Sequence, residues 1–308
     1  LVGGVVVILF GKFQDKWNDP TVGRFIQLFP SAMAATITFG VAPLLFVQLV
    51  YPRQVYAAAI VSGWFWLLIV VVAIVAYYLL YAASFSQSTS GRRADLYLSL
   101  TLIAFVYISY VYSSVFSLAE RPNVYKLLYA QSQSGWVLNP DVGSVIFRWL
   151  HMVLGAVTVG SYFVGLVGRE NQQAYDVARR FFLWAMIAAM IVGLAYLFTF
   201  GDILVPFMRT PAVWYLMAAI VLSLGSLHFF FRRRFAISGV FLFTSLLGMV
   251  AIRHTVRLLH LRDIYDPSSY AVKPQWSVFT LFLFCLLIAT AVIWYMLRLF
   301  FSKREQPS

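Results

Sequence analysis

Long apolar segments recur along the whole 308-residue chain, and they limit its possible folds more than any other feature. Each contains about 20 residues, the length that an α-helix needs to cross a hydrocarbon core of about 30 Å. Charged residues make up 11% of the chain, well below the roughly 25% typical of soluble domains. The sequence therefore predicts an all-α, polytopic transmembrane helix bundle. Its eight full spans are expected near residues 25–50, 55–84, 95–118, 143–168, 177–200, 210–231, 235–258 and 276–301.

The first residues, LVGGVVVILFGKF, form an apolar run that is too short to span a bilayer. Because the sequence also starts at Leu1 without a methionine, we interpret this run as the end of a ninth helix whose beginning is missing. A cleaved signal peptide is the alternative, but a mature chain seldom begins within an apolar run. With no soluble domain evident, we predict one transmembrane domain over residues 1–308.

Lysine and arginine are retained preferentially in the cytoplasmic loops of membrane proteins. Of the 23 such residues, 14 fall on the predicted side that contains the C-terminus and 9 on the other. The sequence thus predicts a cytoplasmic C-terminus, with the loops near 119–143 and 259–275 outside. Topology and contact with anionic membrane lipids then explain the net charge of +12 without a nucleic-acid partner.

Ionisable side chains within membrane spans are costly and usually functional. All 11 acidic residues fall in predicted loops or at helix ends, which argues against a carboxylate proton relay. His151 lies about two turns inside its span, with Gly155 and Thr158 on the same helical face. Small residues there allow a flat haem to approach the backbone, and Arg148, one turn outward, can pair with a propionate. The alternative is a helix contact in which His151 bonds a neighbouring carbonyl.

Two residues are candidates for a second axial ligand of a haem iron bound by His151. Met217 lies at a similar depth in its own span, although methionine also fills gaps in apolar helices. His254 lies nearer the end of its span, beside Arg253 and Arg257. The alternative for His254 is an interfacial role in which it helps the arginines hold propionates, a quinone head group or lipid phosphate.

The segment FRWLHMVLGAVTVGSYFVGLVG, the ARRF turn at 178–181 and the FGD helix end at 200–202 together resemble subunit I of cytochrome bd quinol oxidases. The resemblance extends weakly upstream through LVGG and TITFGVAPLLFVQLV, and so covers most of the first seven helices. It implies that His151 ligates a low-spin haem b near the periplasmic face. Met217, in VWYLMAAIV, resembles the family's second ligand, although its spacing from the preceding Trp214 differs.

Other features depart from that family. The span YAAAIVSGWFWLLIVVVAIVAYYLLY lacks the carboxylates that the family uses for haem ligation and proton delivery, and no GRQPW-like segment is present. Oxygen reduction at a di-haem centre is therefore not expected. The chain is more similar to bd-like membrane proteins that accompany c-type cytochromes in bacterial respiratory gene clusters.

We therefore predict an electron-transfer subunit of a respiratory complex in the bacterial inner membrane. The corresponding activity would be that of a quinol:cytochrome c oxidoreductase. It would bind haem b and pass electrons between menaquinol or ubiquinol and a periplasmic c-type cytochrome. Arg253, His254 and Arg257 are the predicted polar contacts of the quinol. The main alternative is a haem-free scaffold subunit of a larger complex, and a transporter or a terminal oxidase is less favoured.

Overall fold

The computed structural model describes residues 1–15, 17, 20–86, 91–267 and 274–302, without the side chains of residues 15, 293 and 296–302. All regular secondary structure in these ranges is helical, which confirms the all-α fold. The α-helices are α1 (Val2–Asp15), α2 (Pro20–Val50), α3 (Pro52–Val61), α4 (Gly63–Ser86), α5 (Gly91–Leu118), α6 (Pro122–Gln131), α7 (Val142–Val167), α8 (Gln172–Phe198), α9 (Leu204–Met208), α10 (Ala212–Phe231), α11 (Phe235–Leu261) and α12 (Trp276–Ser302). A short 3-10 helix, Gly201–Ile203, precedes α9.

Seven of these helices, namely α2, α4, α5, α7, α8, α10 and α11, are long and apolar enough to cross a membrane. Each overlaps one predicted span, and together they define a multi-pass membrane protein. The eighth predicted span, 276–301, corresponds to α12, whose described apolar part is Trp276–Val292. The predicted end of a ninth helix corresponds to α1, which has 14 residues.

One predicted span, 55–84, is wrong as a continuous helix because the chain breaks at Ser62 between α3 and α4. The Ser62 hydroxyl donates to the Val137 carbonyl at 2.7 Å, and the Trp64 amide donates to the Gly135 carbonyl at 3.1 Å. These bonds tie the break to the connection between α6 and α7.

The chain divides into two compact units, Leu1–Tyr265 and Asp266–Ser308. The first unit contains α1 to α11 and the buried core. The second contains α12, on which Cys285 is exposed. Four cations in the charge count that predicted the orientation, Lys16, Lys273, Lys303 and Arg304, lie outside the described residues.

Helices α7 and α8 form an antiparallel pair whose first turns are both capped. The Asp141 carboxylate accepts from the Ser144 amide at 3.2 Å, and the Asn171 side chain accepts from the Ala174 amide at 2.9 Å. Near their connection, a Cβ added at Gly168 would lie 2.7 Å from the Ala174 Cβ. The absence of larger side chains at this point lets the two helices approach closely.

Helix α1 is packed into the core of the first unit rather than placed at its edge. Val5, Val7 and Ile8 are fully buried. Where α1 crosses α7, a Cβ added at Gly160 would collide with the backbone of Gly3. The two backbones therefore touch directly, as small residues permit between membrane helices.

Serine side chains join α10 to α11. The Ser226 hydroxyl donates to the Ser238 carbonyl at 2.9 Å, and the Ser245 hydroxyl donates to the Ala219 carbonyl at 2.9 Å. Side-chain hydrogen bonds of this kind hold helices together in a hydrocarbon environment. The α7–α8 and α10–α11 pairs provide most of the walls of the cavity described below.

Candidate functional site

A cavity of about 360 Å³ is lined by residues of α7, α8, α10 and α11, and closed in part by Phe200 and Phe207. This volume lies within the range of about 300–1,000 Å³ found for small-molecule sites. Most of the lining is apolar and includes the methionines Met152, Met186, Met190 and Met249. The polar exceptions include His151, Arg148 and Arg253. An apolar cavity with a few convergent polar groups is the usual form of a ligand site.

His151 is held against α8 by packing and by a hydrogen bond. Its Nδ1 atom lies 2.8 Å from the Ala189 carbonyl oxygen. A Cβ added at Gly193 would lie 2.8 Å from both Cε1 and Nδ1 of the imidazole, so only glycine leaves room for the ring. Because a carbonyl oxygen only accepts, the hydrogen bond to Ala189 assigns the proton to Nδ1, which leaves the lone pair on Nε2 free to bind a ligand.

Histidines that ligate metals commonly donate their second ring N–H to a carbonyl or carboxylate, which fixes the tautomer and the ring orientation. The bond from His151 to Ala189 has this form. It also satisfies the alternative drawn from the sequence, in which His151 only bonds a neighbouring carbonyl. That alternative does not explain the free Nε2 lone pair or the cavity that His151 lines.

Two arginines in the cavity wall have buried nitrogens without hydrogen-bond partners among the described residues. These atoms are Nη1 of Arg148, and Nε and Nη1 of Arg253. Buried donors left unsatisfied each cost about 1–3 kcal/mol, and more when they belong to a charged group. The two side chains are therefore suited to an anionic ligand that enters the cavity.

Both arginines belong to a larger charged group, which we call the arginine cluster: Arg148, Arg253 and Arg257. The carboxylate of Glu120 bonds two of these arginines: its Oε1 accepts from Nη2 of Arg253 and, at 3.3 Å, from Nε of Arg257. The cluster lies at the end of the helix bundle where α5, α8 and α11 end and α7 and α10 begin. We call this end of the bundle the arginine end. Among the described residues of this group, three arginines face one carboxylate, so two positive charges have no counter-charge within it.

Glu120 lies in the turn after α5, and its side chain is only 5% exposed. Burial by itself raises the pKa of this carboxyl, but Arg253, Arg148 and Arg257 hold the pKa below its ordinary value. Glu120 therefore stays ionised and serves as the anchor of Arg253 and Arg257.

The sequence places Glu120 with the other acidic residues in predicted loops or at helix ends and does not indicate its burial. A signal was available, because Arg253 and Arg257 are four residues apart on one face of a predicted span. Two cations placed in this way require a counter-charge, and Glu120 follows directly after another span.

The structure brings together only some of the predicted site residues. His151, Arg148 and Arg253 line one cavity. Met217 is 56% exposed on α10, His254 is exposed on α11, and neither is among the described residues that line the cavity. Arg257 reaches Glu120 from outside the lining, and its guanidinium lies 5.2 Å from the centroid of the Tyr51 ring.

Among the described residues, no group of three or more histidine, cysteine or acidic side chains is placed to hold a bare metal ion. A haem supplies four ligands of its own and needs only axial donors from the protein. The cavity offers one such donor at His151, apolar walls, and cations with unmet hydrogen bonds at one end. Among the described residues, apart from the adjacent backbone of α7, no atom lies within 4 Å of a Cβ added at Gly155, which also lines the cavity. The donor set of this cavity, one imidazole and two cations among apolar walls, is chemically compatible with a haem b.

Comparison of the chain with protein-family models, with curated proteins and with solved structures finds no match. The resemblance to subunit I of cytochrome bd quinol oxidases therefore stays a prediction.

Proposed function

We propose that this chain is the haem b-binding electron-transfer subunit of a respiratory complex in the bacterial inner membrane. Its electrons would pass between a membrane quinol, menaquinol or ubiquinol, and a periplasmic c-type cytochrome. The observation that carries the proposal is one cavity that combines the available Nε2 atom of His151 with the unpartnered nitrogens of Arg148 and Arg253. A flat, apolar group with two carboxylates satisfies all of these features.

A bound haem b supplies reversible one-electron transfer. His151 would bind the iron through Nε2, while its bond to the Ala189 carbonyl fixes the orientation of the ring. Arg148 and Arg253 would bind the two propionates, which supply the two negative charges that the arginine cluster lacks. The positive charge of these arginines favours the addition of an electron in the cavity, because it stabilises the more negative state.

A route for quinol is supported by the cavity wall. Met152, Leu194 and Leu246 line the cavity and are also exposed on the helix surface, where lipid would contact them. An apolar quinol could therefore reach the wall from the bilayer. Of the three predicted quinol contacts, Arg253 and Arg257 each bond Glu120, and His254 is the exposed one of the three.

The first experiment is a reduced-minus-oxidised visible spectrum with pyridine haemochrome quantification on purified protein. We expect haem b in the wild type and its loss in His151→Ala. His228→Ala is the matched control, because His228 lies in the last turn of α10, away from the arginine end, and should keep the haem. A well-folded wild type without haem would overturn the proposal and favour the scaffold function.

The quinol step is tested separately in proteoliposomes. Oxidised protein mixed with a reduced menaquinone or ubiquinone analogue should show reduction of the haem on the timescale of turnover. A haem-loaded protein that neither quinol reduces would remove the quinol from the proposal and leave the haem site intact.

The proposed orientation, with a cytoplasmic C-terminus, rests on the lysine and arginine count. Green fluorescent protein fused to the C-terminus should fluoresce in cells, and alkaline phosphatase fused there should be inactive. The opposite pair of results would invert the topology and place the arginine end in the cytoplasm.

A further inference from the structure

We infer that Met249, on α11, supplies the second axial ligand to the haem iron in place of the predicted Met217 and His254. The inference rests on the proposed function, because it requires a haem bound at His151. It is carried by the position of Met249 relative to the two cavity arginines.

Helices α7 and α11 carry the two arginines in mirrored order. On α7, Arg148 lies at the end of the second turn, and His151 follows three residues later. On α11, Met249 precedes Arg253 by four residues, and the helix ends at Leu261. Arg253 donates to Glu120, and Arg148 lines the same cavity as Arg253, so both arginines lie at the arginine end.

The depths of His151 and Met249 follow from these spacings. At a rise of about 1.5 Å per residue, His151 lies about 4.5 Å below Arg148, and Met249 about 6 Å below Arg253. The two side chains are therefore at matching depth, each one helical turn from an arginine that would hold a propionate. Both line the cavity.

The other methionines in the lining are less suited to bind the iron opposite His151. Met152 is the next residue after His151 on α7. Met186 and Met190 lie on α8, which supports the imidazole through Ala189 and Gly193. Met249 is the one methionine in the described lining that lies on neither α7 nor α8.

Met217 is unsuited to bind the iron because its side chain points away from the cavity. It is 56% exposed, whereas Leu216 and Ile220 are the residues that α10 turns toward the cavity. To reach the iron, Met217 would require rotation of α10, whose Ser223, Ser226 and Ala219 are bonded to α11.

A thioether is a neutral, soft ligand, and His/Met ligation gives a haem a higher reduction potential than ligation by two nitrogens. His–Met ligation thus predicts a six-coordinate, low-spin haem with a comparatively high potential. The spin state and the potential can both be measured without any assay of enzymatic activity.

The test compares Met249→Leu, Met249→His and the control Met217→Leu with the wild type. Haem content is measured by pyridine haemochrome, spin state by electron paramagnetic resonance of the ferric protein, and potential by redox titration. We expect Met249→Leu to keep its haem through His151 and the arginines, and to lose the low-spin signal in favour of a high-spin one. Met249→His should restore a low-spin signal at a lower potential, and Met217→Leu should match the wild type.

An unchanged low-spin signal in Met249→Leu would overturn the inference while the haem site stands. A change in Met217→Leu alone would do the same and would restore Met217 as the ligand. If Met249→Leu does not fold, the test relies on Met249→His. A haem reduction potential in Met249→His equal to that of the wild type would exclude Met249 as the ligand. Absence of haem from the wild type would instead show that the proposed function itself has failed.

Discussion

Replacing Glu120 with glutamine should destabilise the protein by about 3–5 kcal/mol, the usual cost of breaking a buried ion pair from one side. Glutamine has nearly the same shape and can still accept hydrogen bonds from Arg253 and Arg257, so the change removes mainly the charge. At an effective dielectric constant of about 20, one close arginine attracts the carboxylate by about 4 kcal/mol. Two arginines bond to the Glu120 carboxylate, so their attractions add. Burying a neutral glutamine costs less desolvation than burying a carboxylate, and this difference offsets part of the attraction that is lost.

The assay is unfolding of the purified protein in mixed micelles, followed by circular dichroism as sodium dodecyl sulfate is added. Asp141→Asn is the matched control. Asp141 pairs with Arg121, but their side chains are 37% and 26% exposed, so this pair should contribute less than about 1 kcal/mol. Asparagine also preserves the N-cap of α7, because it accepts from the Ser144 amide as aspartate does.

Two results would refute the reasoning. Equal losses in Glu120→Gln and Asp141→Asn would show that burial of the Glu120 pair adds nothing to its strength. A gain in stability in Glu120→Gln would show that desolvation of the carboxylate outweighs its attraction to the arginines.

Three further predictions concern single contacts. A Gly193→Ala Cβ would press on the ring of His151, so we expect a loss of about 1–3 kcal/mol and reduced haem content by pyridine haemochrome. Gly160→Leu should disrupt the crossing with Gly3 and cost at least about 3 kcal/mol in micelle unfolding. Because the pKa of Glu120 is lowered, its contribution is complete above its ordinary value of 4.5 and is lost as pH falls through the lower folded value. Unfolding measured at several pH values should show this loss in the wild type and not in Glu120→Gln.

The sequence predicts the membrane helices well because hydropathy is a property of each segment alone. Seven predicted spans overlap seven long apolar helices, since a hydrocarbon core imposes a minimum length on every span. The break at Ser62 could not be read in this way. It depends on bonds to Val137 and Gly135, more than 70 residues away in the sequence.

The candidate site is predicted in part, for a related reason. Depth along a helix follows from counting residues, and the sequence places His151, Arg148 and Arg253 toward the outer ends of their spans. The structure brings all three to one cavity. Direction around a helix needs a polar and an apolar face, and the segment VWYLMAAIV is apolar on all sides. Nothing local indicates that Met217 turns outward. The burial of Glu120 depends equally on helices distant in the sequence.

The unpartnered nitrogens of Arg148 and Arg253 have a consequence for the life of the protein in a cell. Under the proposed function, a chain that folds without an anionic ligand in the cavity bears the cost of these charges, whereas such a ligand would remove that cost and stabilise the fold by mass action. Newly made chains should therefore be degraded faster when the ligand is scarce. The amount of this protein in the membrane would then report the supply of its ligand, and not only the rate of its synthesis.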